Sequence, residues 1–274
     1  MTEDYDPRKD SFESYNVWIA WRRAGILRER CPAAKRVEVI GQCELYLGDC
    51  MEIMQALEGV DAVITDPPYG IGAAAGMGGG GTDASGRWKR KPREYDGRWD
   101  DERPSPSVFQ AILAISEVQI IWGGNYFADL LPKSGRWLFW DKLNSMPSYS
   151  DGEMAWSSLD GNAVKKFTRC NNGPASNRDG ERVHPTQKPV DLMQWCLSFL
   201  TSSSVVCDPF MGSGTTGVAC AKLGRRFMGI EIDEGYFDIA CERIRKAYAQ
   251  PDMFVEQRPK PQRQVGLFDG GTDE

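Results

Sequence analysis

Histidine is almost missing from this chain: His184 is the single one in 274 residues. The eight cysteines never form a Cys-x-x-Cys pair. Zinc ribbons, fingers and deaminase-type zinc sites need such clusters, so no metal centre is expected. Cysteines such as Cys207 and Cys220 sit singly inside apolar segments and read as reduced core residues, not as a disulfide framework. No apolar run approaches the roughly 20 residues of a membrane span. The opening "MTEDYDPRKD" is too polar for a signal peptide. A cytoplasmic protein without a membrane partner is the expectation. No internal repeat is found. A net charge of -6 and a pI near 5.1 exclude wholesale wrapping of nucleic acid, though not a local basic patch.

What is present is the texture of an α/β protein. Hydrophobic residues make up 41% and charged residues 26%, ordinary values for a globular chain long enough for one large domain with appendages. Residues 1–36 read as an N-terminal, largely helical extension. Residues 37–254 alternate short apolar strands with helices. The strands are "CELYLGD", "DAVITD", "VQIIWGG", "GRWLFWDK", "DGEMAWSSL", "NAVKKFT", "SSVVCDPF" and "RFMGIEID". The helices are "CMEIMQAL", "SVFQAILAIS", "PVDLMQWCLSFL", "TTGVACAKLG" and "DEGYFDIACERIRKAYA", the last with Asp233 as N-cap. This alternation predicts a doubly wound sheet. The continuous apolar run of "DAVIT" fits a strand covered on both faces. Residues 70–104 are Gly-rich and basic without periodicity, and residues 255–274 read as a polar tail.

Two strand ends carry chemistry. At residues 66–70, "DPPYG" halts a buried strand with a carboxylate and two prolines that cannot donate to a ladder; an ordinary surface turn is the competing reading. At residues 208–217, "DPFMGSGTTG" places Gly212, Gly214 and Gly217 in G-x-G-x-x-G spacing between a strand and a helix, and Glu231 ends the next strand. Such a loop lets a ligand approach the backbone, and the acid suits ribose hydroxyls. No lysine follows the glycines, which argues against a Walker-type NTPase; a nicotinamide dehydrogenase stays open on this motif alone. The run "GRWKRKPR" carries Arg87, Lys89, Arg90, Lys91 and Arg93 without an acid, and in isolation is a solvated loop.

In order, "DPPYG", "HPTQKP" (184–189), "DPFMGSGTT" and "FMGIEID" resemble the permuted, beta-class DNA amino-methyltransferases over roughly residues 37–248. With "QIIWGGNYF" and "WDKLNSMPSYSDGEMAWSS" added, the chain is similar to phage- and prophage-type adenine methyltransferases. The resemblance implies a Rossmann-like methyltransferase sheet in circularly permuted motif order with inserted DNA-contact loops. It also implies S-adenosylmethionine as cofactor and double-stranded DNA as substrate, methylated on adenine N6 or cytosine N4. Cytosine-N4 relatives more often carry serine where Asp66 stands, which favours adenine. A non-catalytic DNA-binding regulator would need neither glycine motif nor Tyr69. The absence of a Pro-Cys dipeptide argues against the covalent-cysteine route to C5-methylcytosine.

By this resemblance, Asp66 and the Pro67 carbonyl accept from the target amine. Pro68 keeps backbone donors away, and Tyr69 stacks on a flipped base. Asp208, Phe210, Gly212, Ser213, Gly214, Thr215 and Thr216 are expected along the methionine end of the cofactor, with Thr186, Gln187 and Lys188 facing it. Glu231 is expected on the ribose, or else beside the next helix cap. Asp49 would reach the cofactor adenine, or cap a helix. The basic run Arg87–Arg93 is expected on DNA phosphates. Residues 141–183 are the expected recognition segment, with Asn171, Asn172, Asn177 and Arg178 as base readers. Its shortness suits a compact element or a homodimer sharing the work.

Overall fold

The computed structural model describes residues 12–72, 100–143, 150–170 and 187–249. Helix α1 (Phe12–Arg30) precedes β1 (Arg36–Ile40), β2 (Cys43–Leu47), the short α2 (Cys50–Ile53) and β3 (Ala62–Thr65). Then come α3 (Pro106–Ile115), β4 (Val118–Trp122), β5 (Trp137–Asp141), β6 (Gly152–Ser157) and β7 (Lys165–Thr168). The chain closes with α4 (Val190–Leu197), β8 (Val206–Asp208), α5 (Thr215–Lys222), β9 (Phe227–Glu231) and α6 (Glu234–Ala249). All nine strands join one sheet in the order β1-β2-β9-β8-β3-β4-β6-β5-β7.

Its middle, β2-β9-β8-β3-β4, is parallel throughout, while β6 runs antiparallel to β4 and β5. Side chains of a parallel strand alternate between two covered faces. Thus Ile64, Ile120 and Val206 enter a core shared with α4, α5 and α6, whereas Val63, Ile121 and Cys207 enter a second core with α2 and α3. Each fully buried Ile or Val contributes roughly 1.5–3 kcal/mol. Helix α1 joins the second core through Ala24 and Leu27, and its Arg23 pairs with the buried Glu44 of β2. The described part of the N-terminal extension is thereby tied to the sheet.

The topology puts a crevice at one place. From β3 the chain winds outward to β4, and from β8 it winds the other way to β9, so the β3–β8 seam is the switch point where α/β sheets bind ligands. The carboxyl ends of both strands open there. The strand order also puts "DPPYG" ahead of the glycine loop in sequence, as the permuted reading requires.

The excursion that follows "DPPYG" is tied at its base. The buried Asp100 carboxylate accepts from Tyr69 N (2.6 Å) and Gly70 N (3.0 Å), and its carbonyl accepts from Gly72 N (3.1 Å). Gly70 has φ +69°, and a Cβ there would lie 2.6 Å from Arg103 N, so glycine is required. Part of the expected recognition segment is built into the sheet as β6 and β7; residues 144–149 and 171–186, including Asn171, Asn172, Asn177 and Arg178, lie outside the described residues. So do Arg87, Lys89, Arg90, Lys91, Arg93, Thr186 and His184. No helix among the described residues is long and apolar enough to cross a membrane.

Candidate active site

Strand β3 delivers Thr65 and then Asp66 to the mouth of the crevice. Pro67 and Pro68 forbid further ladder donation, so the chain turns out of the sheet at that carboxylate. Asp66 does not stand alone. Lys188 donates to its Oδ2 at 2.6 Å, and the Tyr69 hydroxyl donates to its Oδ1 at 2.5 Å. Lys188 also reaches the Tyr69 hydroxyl oxygen at 3.1 Å and lies 2.9 Å from Oε2 of Glu153, which β6 supplies. Lys142, next after β5, pairs with the other Glu153 oxygen.

Lys188, expected with Thr186 and Gln187 to face the cofactor, points between two carboxylates at the end of β3. The physical reason is charge: a side chain only 6% exposed cannot keep an ammonium without counter-charges. Burial lowers its proton affinity, but Asp66 and Glu153 outweigh that and hold it well above its ordinary value. Burial likewise pushes Glu153 up, yet Lys188 and Lys142 bring it down to about 2. Burial raises the Asp66 carboxyl above its usual range, against the pull of Lys188. Glu153 had no signal in the sequence beyond being a charge inside a strand pattern.

The Tyr69 ring stacks on Tyr126 at 4.8 Å, with its edge toward Phe127. Tyr126 belongs to the turn Gly124–Tyr126 after β4 and is 40% exposed, so the stacked pair presents an aromatic surface.

Across the seam, Thr65 donates to Asp208 Oδ1 (2.7 Å) and Thr216 to Oδ2 (2.7 Å), with Phe210 N on Oδ1 at 3.2 Å. Asp208 thus braces β3, the glycine loop and α5 together. Burial pushes its carboxyl up to about 7. A folded-state value above the ordinary 3.8 means that the folded protein holds this proton more tightly than the unfolded chain does. The resulting stabilisation is complete below about pH 4 and lost as pH rises through about 7, on the order of a few kcal/mol. Asp208→Asn should flatten that fall; thermal melts from pH 4 to 8 with equal slopes in both proteins would contradict it.

The glycine loop is otherwise held from two sides. Glu231 accepts from Gly212 N (2.7 Å) and from Asp233 N (2.9 Å), one bond per carboxylate oxygen. Arg243 of α6 donates to Ser213 Oγ (2.8 Å) and Thr215 Oγ1 (3.3 Å), a brace that sequence reading missed. Gly214, at φ +78°, would drive a Cβ to 2.8 Å from Ala240, whereas Gly212 faces open space. Asp49 is seen as a helix cap, accepting from Met51 N at 2.7 Å, which is the second of its two expected roles. Asp233 caps α6 through Tyr236 N at 2.8 Å, as expected.

Residues 116–242 match the N6/N4 family model described as DNA methylase. The type II methyltransferase M.HinfI of Haemophilus influenzae is 40% identical over 77 residues, 28% of this chain and about a fifth (21%) of its own length. YubD of Escherichia coli (strain K12), named as a methylase, is 28% identical over 213 residues, 72% of this chain and 88% of YubD. The solved M1.HpyAVI–SAM complex is 24% identical, covering 74% of this chain and 98% of its own, with a TM-score of 0.49. The segment that matches the family model holds Lys188, the glycine loop and Glu231.

Proposed function

We propose that this chain transfers a methyl group from S-adenosylmethionine to the exocyclic N6 amine of an adenine flipped out of duplex DNA. The observation that carries the reading is the Thr65–Asp208 bond across the switch point, which sets the "DPPY" strand end directly beside the glycine loop. A nicotinamide-binding reading uses the glycine loop and leaves Asp66, Tyr69 and Lys188 without work.

The residues present suit S-adenosylmethionine. Its sulfonium and ammonium are cationic, and Asp49, Glu231 and Asp208 lie at the ends of three neighbouring strands along one edge. Glu231 keeps a lone pair on each oxygen for ribose hydroxyls. Open space at Gly212 leaves room for a ligand against the backbone, and the half-buried Phe210 offers an apolar face. When bound, the cofactor supplies an electrophilic methyl group. Asp66 and the Pro67 carbonyl take the two N–H groups of the amine, which favours a pyramidal nitrogen with its lone pair turned to that methyl. Tyr69 and Tyr126 provide the aromatic surface for the extruded base. The basic run Arg87–Arg93 fits phosphates on the strand that closes over it.

Adenine is favoured over cytosine N4 by the carboxylate at position 66; the family as matched covers both. Nucleoside analysis of DNA after incubation with labelled cofactor separates the readings, N6-methyladenine supporting ours and N4-methylcytosine replacing it. No labelled methyl in DNA overturns both. Glu231→Ala should weaken cofactor binding by about 1.5–3 kcal/mol for each charge-assisted bond lost. Calorimetry finding an unchanged affinity would remove Glu231 from the ribose role.

A further inference from the structure

We infer that Glu153 and Lys188 form a positioning pair that sets how strongly Asp66 accepts a hydrogen bond from the target amine. The inference rests on the amine-methylation reading and extends it to two residues that do not touch the base.

Consider what Asp66 needs. It must keep a fixed orientation and a basic oxygen aimed at the amine. A lone ammonium at 2.6 Å would give the orientation but drain the charge, since a strongly ion-paired carboxylate is a weaker acceptor. Here the ammonium is shared. Lys188 sits 2.6 Å from Asp66 and 2.9 Å from Glu153, so its charge is divided between two carboxylates. Lys142 compensates the far side of Glu153, and the row Lys142–Glu153–Lys188–Asp66 alternates in sign and sums to zero. The Lys188 ammonium is also 5.4 Å above the Tyr69 ring and 5.9 Å above Trp122, which restricts it further.

The division of labour at Asp66 follows. Lys188 fixes Oδ2, and among the described residues Oδ1 is engaged by the neutral Tyr69 hydroxyl, a donor that an incoming amine can displace or join. The charged and titratable groups facing Asp66 are Lys188, Glu153 and Tyr69, with Asp208 beyond Thr65. Glu153 raises the proton affinity of Asp66 and Lys188 lowers it. Removing either partner therefore moves Asp66 in opposite directions. A packing role would not.

The test follows Asp66 directly, in protein without cofactor, by carboxyl 13C NMR titration with aspartate labelling, its resonance assigned from Asp66→Asn. Glu153→Gln should shift Asp66 titration to lower pH, and Lys188→Met to higher pH. Glu153→Gln should also reduce kcat on the order of 10- to 100-fold, with KM for S-adenosylmethionine unchanged. The acid limb of its kcat profile should move down with Asp66. Shifts in the same direction, an unmoved Asp66 resonance, or unchanged kcat would overturn the positioning role. If Lys188→Met does not fold, the isosteric Glu153→Gln alone decides by the downward shift. Wild-type methyl incorporation into DNA is the control for the functional reading: its absence overturns that reading, whereas an active wild type matched by Glu153→Gln overturns this inference alone.

Discussion

Replacing Asp66 by alanine should lower methyl transfer about 100-fold or more while leaving S-adenosylmethionine affinity close to that of the parent. An aromatic exocyclic amine is a poor nucleophile because its lone pair is delocalised into the ring. In the proposed reaction, the acceptors at the end of β3 draw that lone pair out of the ring plane. Alanine removes one acceptor outright and frees Lys188 to pair with Glu153 alone. Because that second carboxylate remains at 2.9 Å, the ammonium is not orphaned and the fold should survive. Asp66 touches neither Glu231 nor Gly212, so cofactor calorimetry should barely change. Asp66→Asn keeps the shape and one carbonyl acceptor, and should fall between the two. Near-normal turnover in purified Asp66→Ala would sink the assignment of β3 as the amine-binding strand end.

How far the sequence reached is clearest at this seam. The run "DAVIT" is apolar without alternation, and only a strand covered on both faces tolerates that; Val63 and Ile64 enter opposite cores as the pattern demands. The glycine spacing likewise announced the turn between β8 and α5. Asp208 and Glu231 stood out in the sequence as carboxylates at strand ends, but their partners did not. Asp208 is braced by Thr65, which is 143 positions away in sequence. Nothing local to Thr65 distinguishes it from a strand residue chosen for β-propensity. The contacts of Lys188 with Asp66 and Glu153 were not legible in its motif. Its motif says that it lies near the crevice, while the choice between cofactor and Asp66 depends on β6 lying beside β4 and bringing Glu153 across. Glu153 itself sits in "GEMAWS", where an alternating strand normally turns charge to solvent. Asp49 shows the limit from the other side: a Gly-Asp before a helix fits a cap and a ligand equally, and the structure displays the cap.

Gly123→Ala should be as damaging as a change in the site, although residue 123 carries no functional group. The position follows β4 at φ +69°, a left-handed conformation that costs a non-glycine residue roughly 1–2 kcal/mol. A Cβ there would also stand 2.1 Å from Cε1 of Tyr69 and 2.6 Å from Cδ1 and Cζ. The ring is already stacked on Tyr126 at 4.8 Å, which restricts how it can yield. It must swing, and its hydroxyl then leaves both Asp66 and Lys188. We expect kcat to fall on the order of 100-fold, as for other ångström-scale misplacements of a positioned group. Cofactor affinity should hold, since the glycine loop lies across the seam. Tyr69→Ala removes the ring that the new methyl group strikes, so the double variant Tyr69→Ala/Gly123→Ala should be no slower than the slower single variant. Steady-state methylation assays on the three proteins decide the matter. Losses that multiply in the double variant would show that Gly123 acts on something other than the Tyr69 ring.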